Sequence, residues 1–262
     1  MTCQLRNNPL KEAVREGRTA YGIYIEDPSC TMVELAGLAG FDFVRLDWCH
    51  APFDLNIIEN MIRAAECQGI VPIIRLNLDD QKISSVLEMG AMGIVVPDVS
   101  TAAEAKAAVN AAKFSPAGER GMFSASRKSG YGRVDAATFK AWSNEQIMVG
   151  VQIESLQAIE NLDEILGVEG IDIVLSGRGD LSDALGVPGQ KNHPLVLKAE
   201  ERIFDTAMSR GIAISPLLNP YAMGFDEEVR KWKEKGACII SLGIDAAIIR
   251  KAFEDIVDKT EK

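Results

Sequence analysis

The sequence predicts an α/β fold, a single-domain (β/α)8 TIM barrel over residues 1–262, and three observations lead there. Short apolar runs alternate with longer amphipathic stretches along the whole chain, about eight times. No linker or low-complexity break divides them, so one domain is expected. Apolar strands alternating with helices imply a parallel sheet covered on both faces, and eight repeats in this length favour closure into a barrel. An open doubly wound sheet is the alternative. It is weakened as a nucleotide binder because no GxGxxG follows the first strand and no GxxxxGK[ST] occurs.

The expected strands are AYGIYI (20–25), FVRLD (43–47), VPIIRL (71–76), GIVVP (93–97), MVGVQIE (148–154), DIVLS (172–176), IAISP (212–216) and CIISLG (238–243). Between and after them TMVELAGLAG, NIIENMIRAAECQG, KISSVLEMGA, TAAEAKAAVNAAK, LQAIENLDEILG, PLVLKAEERIFDTAMSRG and AIIRKAFEDIVDK space apolar residues three to four apart, which predicts helices. Several end in Gly, a usual helix stop.

A formal charge of −10 and a pI near 4.9 argue against a nucleic-acid surface, which needs clustered Lys and Arg. Small molecules or protein partners are expected instead. The five cysteines, Cys3, Cys30, Cys49, Cys67 and Cys238, are odd in number and contain no CxxC, so neither a disulfide framework nor a zinc knuckle is indicated and a reducing cytoplasm suits them. The N-terminus carries charges where a signal peptide needs an apolar core, and no apolar run approaches the ~18 residues of a membrane span.

In a barrel of this kind catalytic groups stand at the C-terminal ends of strands. The second strand runs into Asp47 and His50, the third ends in Arg75, the fifth in Glu154, and the sixth runs into SGRGDLS with Asp180. Glu154 and Asp180 form an oxygen-only pair of the kind that hard divalent ions prefer. Arg75 offers a planar fork for a carboxylate or a developing oxyanion, and His50 has the pKa range of a general base. Together these groups describe a metal-assisted reaction at a carbonyl. None of the expected strands contains or ends in a lysine, so stabilisation of an enolate by metal is favoured over a Schiff base, with Lys128 the only lysine in a long loop expected at a strand end.

The motifs LDWCHAP, IIRLN, SPAGERG, VQIES and GRGDLSDALG, in that order, resemble the class II pyruvate aldolases of the HpcH/HpaI family over about residues 20 to 255. The resemblance implies a (β/α)8 barrel and a divalent ion, Mg²⁺, Mn²⁺ or Co²⁺, held by Glu154 and Asp180. It implies a 2-oxo acid substrate whose pyruvate part chelates that ion, with amides near Gly179 and Asp180 holding its carboxylate. Arg75 would stabilise the enolate oxygen, His50 would act through water as base on the hydroxyl, and Asp47 would orient that part of the site. Glu88 falls where the family has a carboxylate that pairs with the histidine, often from a neighbouring subunit. A hexamer built from dimers that exchange the last helix, about residues 244–259, is also implied.

Four places depart from the family pattern: Trp48, Cys49 before the histidine, Arg178 where proline is common, and the loop GMFSASRKSGYGR (121–133). Arg178 is expected to bias the site toward an acidic aldehyde, and Arg127, Lys128 and Arg133 form either a solvated surface or a contact to an anionic substrate. The plainer alternatives are that Asp47 caps a turn, that Glu88 is a solvated helix residue, and that Arg75, Glu154 and Asp180 form a salt-bridge network holding the barrel top. His193 reads as a loop or helix cap. A Cys49–His50 dyad is disfavoured because adjacent side chains on extended backbone point opposite ways. Competing functions are a citrate lyase-type enzyme acting on a coenzyme A thioester and a keto-acid-binding barrel without turnover.

Overall fold

The computed structural model describes residues 5–260. Nine parallel strands form one curled sheet: β1 (Ala20–Ile25), β2 (Phe43–Asp47), β3 (Val71–Arg75), β4 (Gly93–Val96), β5 (Met148–Ile153), β6 (Ile173–Ser176), β7 (Ala213–Ile214), β8 (Leu217–Leu218) and β9 (Ile239–Ile244), in the order β7-β6-β5-β4-β3-β2-β1-β9-β8. The sheet's two ends, β7 and β8, are consecutive in the chain, so eight strand positions enclose the barrel and the seventh is split. Pro216 explains the split, since it has no N–H with which to continue a ladder. Ser215 N–H still reaches Val174 O at 2.9 Å on one side, and Ser241 N–H reaches Pro216 O at 2.9 Å on the other.

The guanidinium of Arg45, fully buried inside the barrel, crosses to this seam and donates to Ser241 Oγ at 3.0 Å and Ser215 Oγ at 3.1 Å. Beside it the Phe43 ring lies over Gly22, where a Cβ would stand 2.3 Å from the ring. Only glycine fits that point of β1. Strands β2, β3, β4 and β5 are buried along their whole length, as continuous apolar runs in a two-faced sheet should be.

The helices are α1 (Pro9–Glu16), α2 (Cys30–Leu38), α3 (Leu55–Gln68), α4 (Asp80–Met89), α5 (Ala102–Ala112), α6 (Ala136–Gln146), α7 (Leu156–Glu160), α8 (Leu162–Ile165), α9 (Arg178–Ala184), α10 (Pro194–Ser209), α11 (Phe225–Glu234) and α12 (Asp245–Thr260). Their starts are set by side-chain caps: Asp54 accepts from Ile57 N–H, Asp79 from Gln81 and Lys82 N–H, and Thr101 with Glu104 closes a reciprocal capping box. Helix α1 was not among the elements expected. It closes the bottom of the barrel, where Leu10 and Ala13 join an interior cluster with Phe43, Ile73, Val95 and Ile173.

The loop 121–133 also differs from expectation. It follows α5 and precedes α6, so it lies at the N-terminal face of the barrel, where Lys128 N–H donates to Glu88 O at 3.1 Å beside the last turn of α4. No helix of the described residues is long and apolar enough to cross a membrane.

Candidate active site

The strand register brings the expected charges together. Asp47 and Arg75 are directly opposed partners of β2 and β3, and both are buried. Arg75 Nη1 donates to Asp47 Oδ2 at 2.9 Å, and its Nε donates to Gln152 Oε1 at 3.1 Å. Gln152 in turn donates through Nε2 to Glu154 Oε2, while Glu154 Oε1 accepts from the Asp98 amide at 2.9 Å. One hydrogen-bonded chain therefore runs across the mouth from β2 through β3 and β5 to the turn after β4. Arg75 Nη2 has no hydrogen-bond partner among the described residues, which leaves one donor of the fork for a ligand.

Asp47 caps the turn and also pairs with Arg75. Its Oδ1 accepts from the amides of Cys49 at 3.0 Å and His50 at 3.4 Å, capping the turn, while Oδ2 holds Arg75. The turn thus places His50 with its side chain exposed and its ring without a hydrogen-bond partner among the described residues. Beside it, burial pushes the Cys49 thiol up to about 11, so it stays protonated and is a poor nucleophile.

Glu154 is buried, and its Oε2 sits where a Cβ on Gly177 would come within 2.0 Å. Glycine at 177 is what lets the start of α9 close over the carboxylate. Burial pushes the Glu154 carboxyl up to about 7; the Asp98 amide and Arg75 oppose that rise, and the charges of Asp98 and Asp180 add to it. Asp180 lies in the first turn of α9 with its side chain exposed. The first amides of that turn, near Gly179 and Asp180, have no helical acceptor. A buried carboxylate strained by two like charges, faced by exposed oxygen donors, is a donor set that suits a hard cation.

Two of the expected site residues, Arg178 and Glu88, sit away from the mouth, while His193 takes the capping role read for it. The Arg178 guanidinium, expected to face an acidic aldehyde, turns back onto the outer helices: Nε and Nη2 grip Glu200 at 2.9 and 2.6 Å, Nη2 reaches Glu228 at 2.6 Å, and Nη1 reaches Asn192 at 3.4 Å. The cause is Glu200, a buried acid of α10 that also accepts from Ser176 Oγ at 2.6 Å and needs a cation. Glu88 stands in the last turn of α4, at the opposite end from the mouth, where burial raises its carboxyl and Arg120 opposes the rise. His193 caps α10, its Nδ1 accepting from Leu195 N–H at 3.3 Å.

Residues beyond the expected set complete the mouth. Gln152 links Arg75 to Glu154, and its signal was weak because an uncharged side chain within an apolar strand does not stand out. Asp98 follows β4 at φ 55°, a left-handed conformation uncommon for a side chain, and aims its amide at Glu154. Glu26 follows β1 and lines, with Asp27, His50, Pro52 and Ile249 and Phe253 of α12, a groove of about 830 Å³. Its carboxyl is raised by burial and by Asp47 and Asp245, and lowered by His50. Glu26 is thus one of the carboxylates that share this groove with His50 and feel its charge.

The family model described as HpcH/HpaI aldolase/citrate lyase matches residues 20–252. A 2-keto-3-deoxy-L-rhamnonate aldolase of Salmonella gallinarum is 35% identical over 253 residues, covering 95% of this chain and 92% of the relative. Among solved structures, an HpcH/HpaI aldolase from Desulfitobacterium hafniense superposes with a TM-score of 0.90 at 26% identity, covering 98% of both chains. The citrate synthase SbnG superposes at 0.87 with 30% identity, covering 96% of this chain and 97% of that one. The extent of these matches shows that the chain belongs to the HpcH/HpaI aldolase/citrate lyase family.

Proposed function

We propose that the protein is a divalent-metal-dependent aldolase that reversibly cleaves a 4-hydroxy-2-oxo acid to pyruvate and an aldehyde. The observation that carries this reading is the buried chain Asp47–Arg75–Gln152–Glu154, which ends at a carboxylate that feels the charge of Asp180 and leaves one guanidinium donor open. Glu154 and Asp180 would hold Mg²⁺, Mn²⁺ or Co²⁺, and the ion would polarise the 2-oxo group and draw negative charge toward it. Glu154, raised first by burial and further by Asp98 and Asp180, supports that assignment.

The chain's own groups supply the rest. Arg75, fixed on two sides by Asp47 and Gln152, presents Nη2 to the oxygen that gains charge as the carbon–carbon bond breaks, so no reorganisation is needed at that moment. His50, held by the Asp47 turn in an open groove, takes the proton of the 4-hydroxyl through water. Glu26 lines the same groove and would favour the imidazolium that results. The free amides at Gly179 and Asp180 suit the substrate carboxylate.

Arg178 supports the site from behind by setting the start of α9 against Glu200 and Glu228. A role for Glu88 toward His50 requires a neighbouring subunit. Helix α12 favours such an assembly, since Phe253, Ile256 and Val257 lie exposed three to four residues apart on one stripe. An exchange of this helix within a hexamer would cover them.

The test is pyruvate release from a panel of 4-hydroxy-2-oxo acids that includes 2-keto-3-deoxy-L-rhamnonate, using metal-stripped protein with Mg²⁺, Mn²⁺ or Co²⁺ added back. Release that requires metal and fails with Glu154→Gln is expected. Release that persists in excess chelator, or trapping of a pyruvyl-lysine by borohydride, would overturn the mechanism. Metal and pyruvate binding without turnover of any substrate would leave a keto-acid-binding barrel.

A further inference from the structure

At the end of the barrel away from the mouth a cleft of about 1100 Å³ opens between the chain entering β3, the C-terminal end of α3 and the loop 121–133. Its location follows from its walls, because Val71 and Pro72 begin β3 and Met92 immediately precedes β4. Arg6, Arg63, Arg127, Lys128 and Arg133 line it, against the single carboxylate of Glu66. In a chain with a formal charge of −10 this is a local reversal of sign.

Glu66 has to serve two of these cations at once, Arg127 and Lys128. Its carboxylate is shared between Arg127 and Lys128, with Lys128 Nζ at 3.5 Å, and Arg127 is further pinned by donation from Nη1 to Met89 O at 2.6 Å. The Lys128 side chain is only 13% exposed, yet beyond this long contact its ammonium has, among the described residues, just the Trp142 ring, 5.5 Å away. An ammonium carries three donors, and burying them poorly paired is costly. Burial accordingly pulls Lys128 below the ordinary lysine range, although Glu66 opposes the shift.

The loop that delivers Lys128 is itself held in an unfavourable conformation: Gly130, Tyr131 and Gly132 all have positive φ, at 67°, 56° and 88°. The non-glycine member pays strain and leaves the Tyr131 ring exposed at the rim. Strain, an under-paired buried cation and a concave cationic wall coincide in a volume of the size that small ligands occupy.

We propose that this cleft binds a small molecule carrying two or more negative charges, seated on Lys128 with Arg63 and Arg6 at its rim, at a site separate from the barrel mouth. A multiply charged anion supplies the acceptors that Glu66 lacks, and a singly charged 2-oxo acid would not. Because the ligand contacts α3 and the loop beside α4, its binding should also hold these segments together.

Calorimetric titration of metal-stripped protein with inorganic pyrophosphate tests the idea directly and needs no enzymatic activity. Saturable binding of one pyrophosphate per chain, weakened by added salt, is expected. Lys128→Met should weaken it about tenfold or more, the loss of one charge-assisted contact. Arg63 is half exposed and among the described residues bonds only Glu59 and Asn60 of its own helix, so Arg63→Ala should fold and weaken binding by a smaller factor. Arg75→Met, altered at the mouth, should bind pyrophosphate like the parent. Absence of saturable binding would overturn the proposal. So would loss in Arg75→Met with normal binding in Arg63→Ala and Lys128→Met, since that would place the anion at the mouth.

Discussion

The two ends of this barrel both bury charged and polar side chains, but around Asn8 and Lys113 the floor finishes them differently from the mouth, with Lys128 and Arg120 the floor's exceptions. At the floor Asn8 donates from Nδ2 to Met92 O at 3.0 Å and Gln146 O at 2.8 Å, receives Leu10 N–H on Oδ1, and gives its own amide to Gln146 Oε1 at 2.7 Å. Lys113 donates to Asn144 O at 2.9 Å and to Ile147 O, with Asp172 3.7 Å away. At the mouth groups are left open: among the described residues Arg75 Nη2 and the His50 ring have no hydrogen-bond partner, and Glu154 is raised by burial although the Asp98 amide and Arg75 oppose the rise. Closed polar groups specify the fold; open ones at a strand end are available for chemistry.

That contrast can be broken from the mouth first. Glu154→Gln should abolish metal-dependent turnover while leaving the melting temperature unchanged or slightly higher, because a carboxylate disfavoured by its surroundings becomes neutral. Metal affinity by calorimetry should fall with activity, and parent-like metal binding would remove Glu154 from the ligand set. His50→Ala should lose roughly 10²-fold or more in kcat, the scale of a positioned base, with pyruvate and metal binding kept. Unaltered cleavage kinetics in that variant would exclude the residue.

The next effects are losses of stability. Arg178→Met strands Glu200 in a buried position, so we expect about 3–5 kcal/mol, a fall in melting temperature of roughly 10 °C. Neutral and acidic aldehydes should be affected alike, whereas a selective loss with acidic ones would return Arg178 to the substrate. Asn8→Ala should cost about 2–3 kcal/mol, from a lost cap and two buried carbonyls left without a donor, with kcat kept. A variant that loses rate but not stability would mean that the floor communicates with the mouth.

The sequence was most readable where a single apolar run had a charged end. AYGIYI and FVRLD became β1 and β2 to the residue, and the acids and arginine that end β2, β3 and β5 were legible as a site for the same reason. IAISP was not one strand, because Pro216 interrupts the ladder and Leu217–Leu218 resumes it with β9. Helices α1 and α11 escaped because they bury little: Leu10 and Ala13 in one, Trp232 in the other, too few for a periodic signal. Gln152 carried no charge to mark it. The partners of Arg178 lie 22 and 50 residues further along the chain, a pairing that local patterns do not contain.

The smallest effect expected is a slope rather than a loss, and it belongs to the floor. Burial pulls the Lys113 ammonium down to about 8, with Lys11 adding to the fall and Asp172 opposing it. The unfolded chain holds that proton to about 10.4. Between those values the unfolded state binds more protons than the folded one, so this group makes stability rise with pH. Below about 8 both states are charged and the folded protein bears the whole desolvation cost, on the order of 3 kcal/mol; above about 10.4 the cost is gone. Lys113→Met forfeits the contacts to Asn144 O and Ile147 O at every pH, so its absolute stability is uninformative. The difference between parent and variant in chemical denaturation is informative, because titrations of the other lysines cancel in it. The parent should gain on the variant steadily from pH 8 to pH 10. Parallel curves would mean that Lys113 keeps its ordinary proton affinity, and that the floor contains a charge it fully compensates.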